Sequence, residues 1–257
     1  MSSGLTYLIT GANRGIGLGF VSLLLRRPST TVIAGVRDPS NPSSKALADL
    51  PRGEGSRLVV VKIDSFVESD PAAAVETIRT EHGIAALDVV IANAGIAGTG
   101  APANVSDVEF KSALEHFTVN SVAPLVLFRA AAPLLKASPS KNPVFVGISS
   151  MIGSNGAAET IAQIPGVSPY GASKAALNWF VRRLHFEETW LTTVAIHPGL
   201  VETDMGAGLA KSSGVDLKAF GAITVKQSVE GVVAVLDKAN RASSGLFKNY
   251  DGTDLPW

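Results

Sequence analysis

The chain has 257 residues, no net charge, 46% hydrophobic and 17% charged residues, and no cysteine. That is enough apolar material for one large domain whose sheet is buried on both faces. The neutral balance argues against a nucleic-acid partner, the lack of cysteine excludes a disulfide framework, and no uninterrupted apolar run approaches the ~18 residues of a membrane span.

In chain order, Tyr7-Leu8-Ile9-Thr10 reads as a short buried strand, followed by Gly11, Gly15 and Gly17 spaced G-x-x-x-G-x-G. From Leu18 to Arg27 the apolar residues recur at helical spacing. A strand, a glycine turn and a helix N-terminus together form an anion site, because unpaired amide donors and the positive end of the helix dipole face outward. A pyrophosphate fits such a site, although glycine turns also serve packing. Thr31–Ala34 is the second strand, and Gly35-Val36-Arg37-Asp38 follows it. An acidic residue at this strand end accepts from a ribose 2′-hydroxyl, whereas an arginine binds a 2′-phosphate. Arg37 lies nearer the strand end than Asp38, and Arg14 in the glycine turn offers a second cation.

Pro39 to Gly55 is rich in Pro, Ser and Gly and reads as a surface loop with a short helix at Lys45–Leu50. The third strand, Leu58–Ile63, leads to Asp64, placed for an adenine amino group. The fourth, Leu87–Ile91, leads to Ala92-Asn93-Ala94-Gly95, a small-residue turn able to lie under a nucleotide. Val144–Ile148 and Thr192–Ile196 complete the strands, and the intervening helices are expected near 71–82, 107–137, 169–189 and 226–240. Val201 to Gly221, with four glycines, reads as a mobile substrate-loop segment, about 200–225. Near-continuous β-branched runs indicate strands covered on both sides. The expected fold is therefore α/β, a single-domain Rossmann-type doubly wound parallel sheet over residues 1–257, with its chemistry beyond the carboxyl ends of the strands. The four histidines share no metal-ligand spacing, so no metal site is expected. Without a charged region and apolar core at the start, the expectation is a soluble cytoplasmic protein.

One helix carries the strongest signal. In "SPYGASKAALNWF", Tyr170 and Lys174 lie on one helical face. A tyrosine titrates about three units above neutrality, so a proton shuttle at pH 7 needs roughly 4 kcal/mol of preference for its anion. An ammonium at ~4 Å supplies about that much at an effective dielectric near 20. The pair is physically sensible as a general acid/base, and the same spacing also occurs in ordinary amphipathic helices.

Thr10-Gly11-Ala12-Asn13-Arg14-Gly15-Ile16-Gly17, Asn93-Ala94-Gly95, Tyr170-x-x-x-Lys174 and Pro198-Gly199 occur in the order and spacing of the short-chain dehydrogenase/reductase family, which the whole chain resembles. The "VETDM" after Pro198-Gly199 and the stretch "YDGTDLPW" resemble, more narrowly, fungal norsolorinic acid ketoreductase-like and bacterial C-factor-like members. The resemblance implies catalytic roles for four residues. Tyr170 protonates a carbonyl oxygen while hydride arrives from a nicotinamide. Lys174 binds the nicotinamide ribose and lowers the tyrosine pKa. Ser150 holds the substrate oxygen, with Ser149 and Ser154 as weaker candidates, and Asn120 kinks its helix and anchors a proton-relay water. Here Ser150 precedes Tyr170 by twenty residues, more than in the family's shortest members, so a bulge over Gly156–Gly166 is expected.

The resemblance further implies that NADP(H) binds along Gly11, Asn13, Arg14, Gly15, Ile16, Gly17, Arg37, Asp64, Asn93, Ala94, Gly95, Tyr170, Lys174, Pro198, Gly199, Val201 and Thr203. It implies a carbonyl reductase, reversible as an alcohol dehydrogenase, with an aromatic polyketide ketone as one substrate class. It also implies a homodimer or homotetramer built on the helices 107–137 and 169–189. Reduction of an activated C=C bond, a cofactor-assisted cyclisation, a sugar or steroid dehydrogenase and a non-catalytic dinucleotide-binding protein remain open on the same fold.

Overall fold

A computed structural model of the chain describes residues 4–97, 103–213, 219 and 221–257, with the side chains of all of these except 209–213. Seven strands form one sheet: β1 Thr6–Thr10, β2 Thr31–Val36, β3 Arg57–Lys62, β4 Val89–Ala92, β5 Val144–Ile148, β6 Thr192–His197 and β7 Leu246–Asn249. Their order is β3-β2-β1-β4-β5-β6-β7, and every pairing is parallel. The helices are α1 Gly15–Leu25, α2 Pro42–Lys45, α3 Asp70–Thr80, α4 Phe110–Phe117, α5 Ala123–Lys136, α6 Ala158–Ile161, α7 Ser168–Glu187, α8 Asp204–Ser213 and α9 Val225–Lys238.

Side-chain alternation along the strands builds two apolar layers. Ile9, Ala34, Ile91, Val146 and Ile196 pack with Phe20 and Leu24 of α1 and Val232 of α9 on one face. Leu8, Ile33, Val90, Phe145 and Ala195 pack with Ile78 of α3, Leu127 and Leu135 of α5, and Leu177 and Val181 of α7 on the other. The fully apolar burial of β4 and β5 is what a parallel sheet covered on both sides requires. The chain reverses its winding direction between β1 and β4, so their carboxyl ends open a crevice there.

Several expected elements change in the structure. The first helix starts at Gly15 rather than Leu18, because the second and third glycines of the turn are already helical. The run 107–137 is not one helix: α4 and α5 are joined by a π turn at Thr118–Val122, where the Ala123 amide donates to the Thr118 carbonyl. Read as one stretch, Phe110–Lys136 is long and apolar enough to cross a membrane, with mean hydropathy 1.4, but half of that window is buried in the fold. The loop after β2 carries α2 and a 3₁₀ turn at Ala46–Asp49. The expected bulge before Tyr170 contains α6. Of the expected mobile segment, Asp204–Ser213 is helical, while 214–218 and 220 lie outside the described residues. The seventh strand had no counterpart among the expected elements.

Candidate active site

The glycine turn is demanded largely by the protein itself. A Cβ at Gly17 would lie 2.1 Å from the Gly11 carbonyl oxygen and 2.7 Å from Asn93 Nδ2. Gly11 (φ +63°) would bring its Cβ to 3.0 Å from Ala94 Cα. At Gly11 and Gly17 the space a side chain would fill is thus taken by the turn's own backbone and by the Asn93-Ala94 segment. Only Gly15, at φ +52° and facing nothing nearer than a Thr203 methyl at 3.5 Å, opens outward. The turn is bolted to β4: Thr10 Oγ1 accepts from the amides of Asn93 and Ala94, both at 3.1 Å, and Asn93 Nδ2 donates to the Thr10 carbonyl at 2.8 Å. Arg14, the residue that enters α1, gives no side-chain cap to the first-turn amides, so these donors face the crevice. Ile16 is part of that first turn and packs against the α1/α9 layer.

The turn reaches β2 through the Ala12 amide, which donates to the Gly35 carbonyl at 3.2 Å, and reaches α2 through Asn13 Nδ2, 2.8 Å from Ser43 Oγ. Beside it, Arg14 and Arg37 are both exposed, and neither side chain makes a hydrogen bond or ion pair with a described residue. Asp38 is engaged elsewhere: its carboxylate accepts from the amide and hydroxyl of Ser40, which hold its pKa below the usual value. A cleft of about 430 Å³ opens where β1 and β4 end, lined by Thr10, Asp64, Phe66, Ala92, Val119 and Val122. Asp64 stands on its wall with Oδ1 accepting the Phe66 amide at 3.0 Å.

At the other end of the crevice, β5 delivers the serines and α7 the tyrosine and lysine. Ser150 faces the Tyr170 phenol and works to lower its pKa, and Ser150 Oγ accepts the Ile152 amide at 3.2 Å. Ser149 instead donates to Asn178 Oδ1 at 2.6 Å, and Ser154 to the Pro256 carbonyl at 2.6 Å. Only Ser150 of the three therefore meets Tyr170. Lys174 is buried and donates to the Ile148 carbonyl at 2.7 Å, its Nζ 5.8 Å from the Tyr170 ring centre. Gly95 stands next to it, where a Cβ would come within 3.6 Å of Nζ.

The electrostatics depart from expectation. Burial outweighs the lowering by Ser150 and pushes the Tyr170 phenol up to about 12. Burial also brings Lys174 down to about 8. The lysine was expected to pull the phenol toward neutrality. Instead its charge is directed at the Ile148 carbonyl, and desolvation dominates both groups.

Asn120 is fully buried in the π turn, and its side chain makes three hydrogen bonds to protein. Nδ2 donates to the Ile96 carbonyl at 2.9 Å and Ser173 Oγ at 3.0 Å, while Oδ1 accepts the Ile96 amide at 2.9 Å. It clamps the strand-end turn after β4 to α7. Pro198-Gly199 ends β6; Gly199 takes φ +86° with Ile223 and Tyr250 packed against it. Val201 bridges Ile223, and Thr203 accepts the Gly206 amide at 3.2 Å beside Gly15. These residues close the crevice opposite the glycine turn.

Sequence reasoning missed two supports. Asn178 takes the Ser149 hydroxyl and donates to the Gly153 carbonyl at 3.2 Å, fixing the turn that carries Ser150. Its place one helical turn beyond Lys174 was the available signal. Thr10 holds the Asn93 turn, and nothing in the local pattern marks it.

A sequence profile of the family described as short chain dehydrogenase matches residues 6–214. Norsolorinic acid ketoreductase of Dothistroma septosporum is 44% identical over 254 residues, 98% of this chain and 92% of that protein. The norsolorinic acid ketoreductase of Emericella nidulans is 40% identical over 253 residues, 98% of this chain and 93% of the relative. Among solved structures, the NADPH-bound carbonyl reductase from chicken fatty liver superposes with a TM-score of 0.85 at 32% identity, covering 99% of both chains.

Proposed function

The chain belongs to the short-chain dehydrogenase family, and on that premise we propose that it is an NADPH-dependent ketoreductase acting on a ketone or aldehyde. The observation that carries this reading is the grouping of Ser150, Tyr170 and buried Lys174 at the carboxyl edge of the sheet, with Lys174 Nζ 5.8 Å from the Tyr170 ring centre. The crevice suits a dinucleotide: Gly15 leaves open space in front of uncapped α1 amides, and the cleft at Asp64 and Val119 has the apolar walls an adenine needs. Arg14 and Arg37 are the residues for a 2′-phosphate. Asp38 Oδ1 is engaged by Ser40 and turned to its own loop. Lys174 and Gly95 would face the nicotinamide ribose, and Pro198, Gly199, Val201 and Thr203 the carboxamide. The bound dinucleotide would supply the hydride.

The side chains supply the rest. On this reading a carbonyl oxygen accepts from both Ser150 Oγ and the Tyr170 hydroxyl. Developing negative charge on that oxygen is met by two donors and by the Lys174 ammonium behind the tyrosine. Tyr170 gives up its proton as the alkoxide forms. A phenol held near 12 stays protonated at neutral pH and is present in its donor form; the same groups run in reverse would oxidise an alcohol. Asn120 positions α7 through Ser173. Two relatives named for reducing norsolorinic acid support an aromatic polyketide ketone as the substrate class. Exposed Phe110 (82%), Leu114 (55%) and Trp179 (64%) on α4 and α7 support assembly of two or four copies through these helices.

Tyr170→Phe tests the chemistry, because the phenyl ring preserves packing and only the acid is removed. Ketone reduction should fall at least about 10²- to 10⁴-fold while the NADPH dissociation constant holds. A kcat within a few-fold of the parent, with NADPH still bound, would exclude Tyr170 as the acid.

A further inference from the structure

The stretch "YDGTDLPW" has so far served only as a likeness, yet its last residues do something specific in the fold. After β7 the chain turns at Asp251 and runs back antiparallel to that strand: Lys248 bridges Asp254, and the Leu255 amide donates to the Phe247 carbonyl at 2.9 Å. Lys248 Nζ and Asp254 Oδ1 are 2.5 Å apart. Pro256 and Trp257 then reach the segment between Ser150 and Tyr170. The Gly156 amide donates to the Trp257 carbonyl at 2.6 Å, and Ser154 Oγ donates to the Pro256 carbonyl at 2.6 Å. Ser154 Oγ also accepts the Ala157 amide at 3.0 Å, so one hydroxyl ties three stretches of backbone together.

The Trp257 ring is itself fixed. It stacks on Phe247 with centroids 5.6 Å apart and planes at 30°, and the Arg182 guanidinium of α7 covers it at 5.0 Å. Gly156 has no room for a side chain, since a Cβ there would meet Pro256 Cβ and the Trp257 oxygen at 2.9 Å each. Beyond Gly156, among the described residues, the next bridge from the loop through α6 to another part of the chain is at Val167, which pairs with Ala103.

We propose that Asp254–Trp257 is a clasp that positions the 154–167 loop, and that Trp257 and Gly156 are positioning residues for the substrate wall of the site. The loop joins the two hydroxyls that meet the carbonyl oxygen, so its placement sets how a bulky ketone lies against them. The dinucleotide end of the crevice is built from other elements, β1, β2 and α1. This rests on the ketoreductase reading for its kinetic consequence, but the clasp itself does not.

The test compares Trp257→Ala, Trp257→Phe and Gly156→Ala with the parent, in hydrogen exchange and in steady-state reduction of butan-2-one and a fused-ring aryl ketone with NADPH. In Trp257→Ala and Gly156→Ala, amides of 154–167 should exchange faster while those of β4 and β5 do not. KM for the aryl ketone should rise roughly ten- to a hundredfold, the scale of a misplaced binding wall. KM for butan-2-one and the NADPH dissociation constant should change by no more than about twofold. Trp257→Phe, which can still stack on Phe247, should restore most of both. Unchanged exchange in 154–167, faster exchange throughout the sheet, or equal KM changes for the two ketones would overturn the clasp. If the parent reduces neither ketone, the ketoreductase reading fails, and the exchange data alone then decide whether the clasp exists.

Discussion

Replacing Lys174 by methionine should stabilise the empty protein. The lysine is 4% exposed, and burial brings it from an ordinary value of 10.5 to about 8. That depression corresponds to about 3 kcal/mol held against the charged form at neutral pH. The ammonium recovers part of this through its bond to the Ile148 carbonyl, and a hydrogen bond from a charged donor is worth about 1.5–3 kcal/mol. Methionine has nearly the same length and no charge, so the net gain should be about 1 kcal/mol at pH 7. The sign with pH is fixed by linkage. Between pH 8 and 10.5 the unfolded lysine binds a proton that the folded one has released, so the parent gains stability as pH rises through this window. Lys174→Met lacks that group, and its advantage should shrink over the same range. Urea unfolding followed by far-ultraviolet circular dichroism at pH 7, 9 and 10.5, without dinucleotide, measures both effects. A variant less stable than the parent at pH 7, with a difference that does not move with pH, would refute the argument that burial disfavours the charge.

Three further outcomes follow from the site. Arg37→Asp should weaken NADPH by about ten- to a hundredfold, the worth of a lost arginine–phosphate bond, and leave NADH nearly unchanged; fluorescence titration of both cofactors reads this, and equal losses would refute the assignment. Ser150→Ala and Ser149→Ala should separate activity from stability. The first lowers kcat with little effect on unfolding, whereas the second leaves Asn178 Oδ1 buried without its donor and costs about 1–3 kcal/mol of stability with kcat per folded molecule retained. Light scattering at micromolar concentration should give the mass of two or four chains, and a monomer mass would contradict assembly through α4, α5 and α7.

The strands were legible because a parallel sheet buried on both sides demands uninterrupted apolar runs, and six of the seven announce themselves that way. β7 did not: Leu246-Phe247-Lys248-Asn249 is half polar, as an edge strand with a single strand neighbour can be. The π turn at Thr118–Val122 falls where the family resemblance implies a kink at Asn120; apolar spacing alone continues across it, and the extra residue shows in the Thr118–Ala123 bond. Tyr170, Lys174 and Ser150 could be named from sequence, since their types and order are distinctive. The pKa of the pair could not, because spacing along a helix fixes neither the direction of an ammonium nor the depth of burial. The glycines show the same limit: their positions were readable, but whether ligand or protein fills the space beside each depends on Asn93, a strand away.

The edges of the sheet have a consequence for solubility. An open sheet with a bare outer strand offers a row of unpaired amides and carbonyls to any passing chain. On one side, β3 ends in Arg57 and Lys62, both exposed, and charge at the ends of an outer strand discourages a second copy from adding to it. On the other side, β7 is covered by its own backbone, since the return run from Asp254 takes up the Phe247 carbonyl and pairs Lys248 with Asp254. Loosening that run would uncover a strand rich in apolar contact at Phe247, so damage there would be expected to surface as fibrillar or amorphous aggregates during heating, at a temperature below the unfolding of the sheet itself.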